Sequence, residues 1–131
     1  MKAVIERGAD GGFAIYTNDA QGVYGSGMTE QEAKTCFEEV MVEQAKYHME
    51  QTGKYPDWYS DNIAVEYVYD ISGFFEQFPF INATAFAKEI GLNAAMMRKY
   101  KRKLVPVSDK QKAIIQNKYN ELVNRMQAVV F

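Results

Sequence analysis

Cysteine, histidine and tryptophan each occur once in 131 residues, and proline three times. The lone Cys36 rules out an internal disulfide, and with His48 as the one imidazole no usual four-ligand zinc set can be assembled. No metal and no cofactor is expected. Long apolar runs are also missing. The opening Met-Lys-Ala-Val-Ile-Glu-Arg is too short for a signal peptide, and no stretch approaches the roughly 20 apolar residues of a membrane span, so a soluble, cytoplasmic chain with no membrane partner is expected. Nor is there an excess of positive charge. A formal net charge of −2 would by itself argue against a nucleic-acid partner, because duplex binding depends on neutralising phosphates.

The average hides a division. Residues 1–70 carry five Lys and Arg against thirteen Asp and Glu, a net of −8, whereas residues 71–131 carry ten against four, a net of +6. Charge asymmetry of this kind points to a basic binding unit carried by an acidic one. With 47% apolar residues and 14% aromatics, either part can fill a core.

The patterning predicts an α+β chain. Ala3 to Ile5 and Phe13 to Tyr16 are apolar runs separated by Arg7-Gly8-Ala9-Asp10-Gly11-Gly12, a hairpin turn, and Val23 to Ser26 adds a third strand to an antiparallel meander. Thr29-Glu30-Gln31-Glu32 is a capping box that starts a helix running to about Gln51. Along it Ala33, Cys36, Phe37, Val40, Met41 and Ala45 form a stripe for the sheet, with Cys36 read as a buried small hydrophobe. Gly53 and Pro56 end that helix, and Ile63 to Tyr69 reads as a strand reached by a helical crossover. The first domain, residues 1–71, is thus β-β-β-α-β. Residues 72–80, aromatic and holding Gly73 and Pro79, are expected as a packed connector. Residues 81–131 hold three helical patterns, Ala83 to Ile90, Ala94 to Arg102 and Ser108 to Val129, the last opened by the capping box Ser108-Asp109-Lys110-Gln111.

Within that second domain, Phe86-Ala87-Lys88-Glu89-Ile90-Gly91-Leu92-Asn93 followed by Met97 has the make-up of a helix-turn-helix. Ala87 is small where two helices cross, Gly91 suits the left-handed turn, and Phe86, Ile90, Leu92 and Met97 form the wedge between the helices. If Ala94 to Arg102 is the recognition helix, Asn93, Arg98, Lys99, Lys101, Arg102 and Lys103 are candidate contacts to bases and phosphates. The bland reading is a solvated basic face on a helical bundle.

The whole chain resembles a HicB-like antitoxin. In the first half the resemblance rests on Gly12-Phe13-Ala14-Ile15-Tyr16, Gly22-Val23 and Gly27-Met28-Thr29-Glu30-Gln31-Glu32-Ala33. In the second it rests on Ala87-Lys88-Glu89-Ile90-Gly91-Leu92 through Tyr100 and Ser108. The family commonly has a proline near Asn18-Asp19-Ala20, and this chain has none. The resemblance implies a partial RNase H-like fold used for binding, a small basic toxin ribonuclease as partner, and a homodimer or higher homo-oligomer that binds double-stranded operator DNA and represses its own operon.

The remaining chemistry-bearing residues read as structural. An RNase H-like enzyme needs acids gathered around two metals, but Asp10 and Asp19 sit in turns, Glu66 is mid-strand, Asp70 ends a strand and no acid stands centrally on the first strand. His48 has no acid or nucleophile near it in sequence, and no catalytic residue and no enzyme activity are expected. Tyr55, Trp58 and Tyr59 fit either a partner-binding patch or packing under a loop. The competing function is a stand-alone interaction or regulatory module with the same fold and no toxin; a metal-dependent nuclease is a third.

Overall fold

Alternation in Lys2-Ala3-Val4-Ile5 and the mixed helix and strand patterns downstream resolve, in the computed structural model, into a mixed α+β chain with one four-stranded sheet and five helices among the described residues. The structure describes every residue except Ala9. The chain divides into two units, Met1–Gly73 and Phe74–Phe131.

In the first unit β1 (Lys2–Arg7), β2 (Phe13–Tyr16) and β3 (Tyr24–Gly27) form the antiparallel meander, with Ile5 opposite Ile15 and Ile15 opposite Gly25. Of the β1–β2 turn, Ala9 lies outside the described residues; Gly11 takes φ 86°. Helix α1 (Glu30–Thr52) then crosses over to β4 (Glu66–Tyr69), which pairs in parallel with β1, giving the sheet order β3-β2-β1-β4. The β4 strand is shorter than the expected Ile63–Tyr69 because the ladder with β1 begins at the Lys2–Glu66 pair. Ile63 and Val65 pack against the core from a loop instead.

The capping box forms as the sequence predicts: Thr29 Oγ1 accepts from the Glu32 amide at 3.1 Å and Glu32 Oε2 accepts from the Met28 and Thr29 amides. Gly53, at φ 80°, closes the other end of the helix. The buried stripe is Ala33, Phe37, Met41 and Ala45, a spacing of four that keeps one row against Ala3, Ile5 and Ile15. Cys36 is off that row and only half-buried, which corrects the expectation of a buried cysteine. The helix lies so close to β3 that a Cβ built on Gly25 would stand 2.5 Å from Phe37 N and 2.6 Å from the Ala33 carbonyl oxygen.

The second unit begins inside helix α2 (Ile71–Gln77), which occupies most of the stretch expected as a connector. Asp70 starts this helix, accepting from Ser72 Oγ at 2.8 Å and from the Gly73 amide. Beyond the division, the ring of Phe74 lies 5.4 Å from those of Phe78 and Phe86 and 5.6 Å from that of Tyr119. Around that cluster stand α3 (Ala83–Glu89), α4 (Ala94–Lys101) and α5 (Asp109–Gln127), with Phe75, Phe86, Ala87, Ile90, Met97 and Ile115 buried. Ser108 Oγ caps α5 by accepting from the Gln111 amide at 3.2 Å.

Candidate nucleic-acid interface

The segment from α3 to α4 is built by backbone hydrogen bonds that the sequence makes possible at one residue. Gly91 takes φ 77°, a conformation that costs an L side chain about 1–2 kcal/mol and glycine little. That geometry lets the Leu92 amide reach the Ala87 carbonyl at 2.8 Å and the Gly91 amide reach Lys88 at 3.2 Å, the paired bonds that close a helix with a glycine after its cap. Two residues after Gly91, Asn93 Oδ1 accepts from the Met96 amide at 2.8 Å and starts α4. One helix thus ends and the next begins within Ile90 to Asn93. Ala87, fully buried, and Met97, 1% exposed, fill the space between the two helices with Phe86 and Ile90. Leu92 is half-buried at their edge.

Of the six candidate contacts, the structure sets Lys99 and Arg102 apart from the others. Both are exposed, and at 100° per residue they lie with Ala95 opposite the buried Met97. Arg98 is engaged within the fold: its Nη1 donates to Thr84 Oγ1 at 2.9 Å, fastening α4 to the first turn of α3. Lys101 leans the other way, its ammonium 5.9 Å from the Phe75 ring centroid. Asn93 is exposed, and its side-chain oxygen caps α4, which leaves its amide N–H groups and the oxygen's second lone pair to offer a ligand. Lys103 sits just past the end of α4 at φ 59°, among the described residues the one non-glycine with positive φ, with its amide bonded to the Tyr100 carbonyl at 3.1 Å. Of the five basic residues, Lys99 and Arg102 thus face outward, while Arg98 is bonded to Thr84 and Lys101 lies near the Phe75 ring. Sequence reasoning missed Ala95 and the 38%-exposed Met96, which share the outer side of the first turn of α4 with Lys99. A helical projection anchored on Met97 brings them out.

The acids do not gather. Asp10 accepts from the Gly12 amide, Asp19 from the Lys2 amide, and Asp70 caps α2. Among the described residues no group of three or more His, Cys, Asp and Glu side chains could hold a metal ion. His48 Nδ1 donates to the Lys54 carbonyl at 2.8 Å and helps end α1. In the loop after α1, the rings of Tyr55 and Tyr59 lie 5.1 Å apart at a tilt of 37° and Trp58 packs on the core of the first unit, while Tyr55 stays 46% exposed.

The outer side of α1 carries part of the negative charge of the first unit. Glu38, Glu39 and Glu43 are exposed there, and a groove beside them is lined by Val42, Tyr59, Asp61 and Ile63. Hydroxyls of β4 hold two of the helix's acids in place: Tyr67 donates to Glu38 Oε1 at 2.8 Å and Tyr69 to Glu30 Oε2 at 2.7 Å. Partial burial, and then the bond to Glu38, push the Tyr67 hydroxyl well above the usual phenol range.

No protein-family model, curated protein or solved structure matches the chain. No helix among the described residues is long and apolar enough to cross a membrane.

Proposed function

We propose that the chain is an autoregulatory transcriptional repressor and the antitoxin of a toxin-antitoxin pair. In this reading α3 and α4 form a helix-turn-helix whose second helix enters the major groove of operator DNA, and the first unit, a partial RNase H-like fold, masks a small basic toxin ribonuclease. The observation that carries the DNA-binding half is the outward stripe on α4: Lys99 and Arg102 exposed opposite Met97, on a helix fixed against its neighbour by the Gly91 turn and the Arg98–Thr84 bond. Phosphate neutralisation needs cations free to face the duplex, and a recognition helix needs a rigid support.

Two further features support the rest of the reading. The exposed glutamates of α1, beside a groove that sets Asp61 among Val42 and Ile63, suit a cationic protein partner, since complementary charge steers association. Near the end of α5 Met126 is 62% exposed, apolar surface at which a second copy can be joined. A dimer presents two recognition helices and so reads two half-sites.

The test is a fluorescence-anisotropy titration of the full chain against its own upstream DNA and a scrambled duplex across a salt series, with Lys99→Ala, Arg102→Ala beside the wild type. Sub-micromolar preference for the upstream sequence, lost in the double variant, is expected. Weak binding without preference would transfer the function to the first unit, as a protein-interaction module. Light scattering on the same samples checks the dimer; a monomer mass at micromolar concentration would remove that part.

A further inference from the structure

The first turn of α4 is more apolar than the basic run behind it suggests. Ala95 and Met96 are both exposed, Met96 to 38%, whereas the buried Met97 and the Arg98–Thr84 bond hold α4 on α3. Ala95 lies one turn before Lys99 on the same side, and Met96 lies three residues before it. The Asn93 cap, with its oxygen tied to the Met96 amide, holds the backbone of that turn, so the directions in which both side chains leave it are set before any ligand arrives.

Resting on the helix-turn-helix reading, we infer that Ala95 and Met96 read thymine methyl groups in the major groove, while Lys99 and Arg102 supply the phosphate and hydrogen-bonding contacts. In a recognition helix the N-terminal residues meet the base edges. There the thymine C5-methyl is the apolar group that a methyl or thioether side chain can cover. Asn93, the residue at that end best suited to adenine, already uses its oxygen to cap α4, so a bidentate contact to adenine would have to share that oxygen with the Met96 amide. The predicted target is thus an A·T-containing half-site recognised from the thymine side.

The experiment uses the full chain and a duplex recovered on it from a random library, compared with the same duplex carrying deoxyuridine for thymine at each position in turn. Deoxyuridine keeps the base pair and deletes only the methyl. A loss of roughly fourfold is expected at one or two positions, the worth of one buried methyl, and Met96→Ser, whose site is exposed and whose fold circular dichroism will check, should lose the sensitivity at one of them. If the selected duplex binds and every deoxyuridine is neutral, the inference is overturned and the DNA-binding reading stands. If selection yields no preferred duplex, both fall.

Discussion

Arg98 Nη1 donates to Thr84 Oγ1 at 2.9 Å, so the guanidinium that opens the basic run is spent on joining two helices. Its neighbour Lys99 faces outward. The two positions should therefore separate stability from binding. Arg98→Ala is expected to lower unfolding free energy by about 1 kcal/mol, the worth of one exposed hydrogen bond, with a small effect on the salt dependence of DNA affinity. Lys99→Ala should leave the urea midpoint unchanged and lower the slope of log affinity against log salt by about one, as removal of one phosphate contact does. Equal salt slopes for the two variants would show that the sorting of this run has no bearing on DNA.

Gly25 controls how closely α1 approaches the sheet. A Cβ there would meet backbone atoms of Phe37 and Ala33 at 2.5 and 2.6 Å, and neither atom belongs to a flexible side chain that could turn aside. Gly25→Ala must push the helix off β3, and overpacking of this kind costs about 3 kcal/mol. The measurement is urea unfolding followed by the fluorescence of Trp58, which packs on that core. A change below about 0.5 kcal/mol, the usual limit for surface substitutions, would show that the helix is less firmly seated than these distances imply.

Gly25 also shows what the sequence conceals. The elements were legible because each is signalled locally: alternation in β1, the Thr29-Glu32 box, Gly91 followed by Asn93. The parallel pairing of β4 with β1 was not, since no local pattern says which edge a crossover strand joins. Gly25 reads as a weak strand residue until the helix above it is in place. In the candidate interface the basic run was plain, but its sorting depended on partners distant in the chain. Thr84 lies fourteen residues before Arg98, and Phe75 well before Lys101. The apolar first turn of α4 carries no local signal, since Ala95 and Met96 suit a helix core as well as its surface.

The Tyr69–Glu30 bond ties β4 to the start of α1 and gives the first unit a pH signature at both ends of the scale. Partial burial, and then donation to Glu30, raise the Tyr69 hydroxyl to about 12. A raised phenol stabilises the fold fully below its ordinary value of 10.0 and loses that contribution as pH climbs through about 12. For Glu30, burial pushes upward, but the bond from Tyr69 and the ion pair with Lys34 at 3.1 Å outweigh it and hold the carboxyl below its ordinary value. Its contribution is present above the ordinary carboxylate range and fades as pH falls through the lowered value. In Tyr69→Phe the urea midpoint should decline less steeply between pH 10 and 12 than in the wild type, and carboxyl NMR should show Glu30 titrating at higher pH. Parallel midpoint curves with an unmoved Glu30 would mean that the bond does not persist in solution.

Lys103 holds a left-handed conformation, φ 59°, where the chain leaves α4, and the bonds from its amide to Tyr100 and from the Leu104 amide to Lys99 are those that a glycine would make more easily. Strain retained beside a candidate binding surface is a reason to test whether the side chain is kept for contact with a ligand. Lys103→Gly relieves about 1–2 kcal/mol of backbone strain and returns part of it through a freer unfolded chain, for a net gain of about 0.5 kcal/mol. If the position serves DNA, the same substitution weakens binding to the upstream duplex and lowers the salt slope, so stability and affinity move in opposite directions. Lys103→Asn separates the two causes, because asparagine tolerates the left-handed region while the charge is lost. Both variants should then bind DNA alike and more weakly than the wild type. Undiminished affinity in both would assign the lysine to the turn alone and confine the phosphate contacts to Lys99 and Arg102.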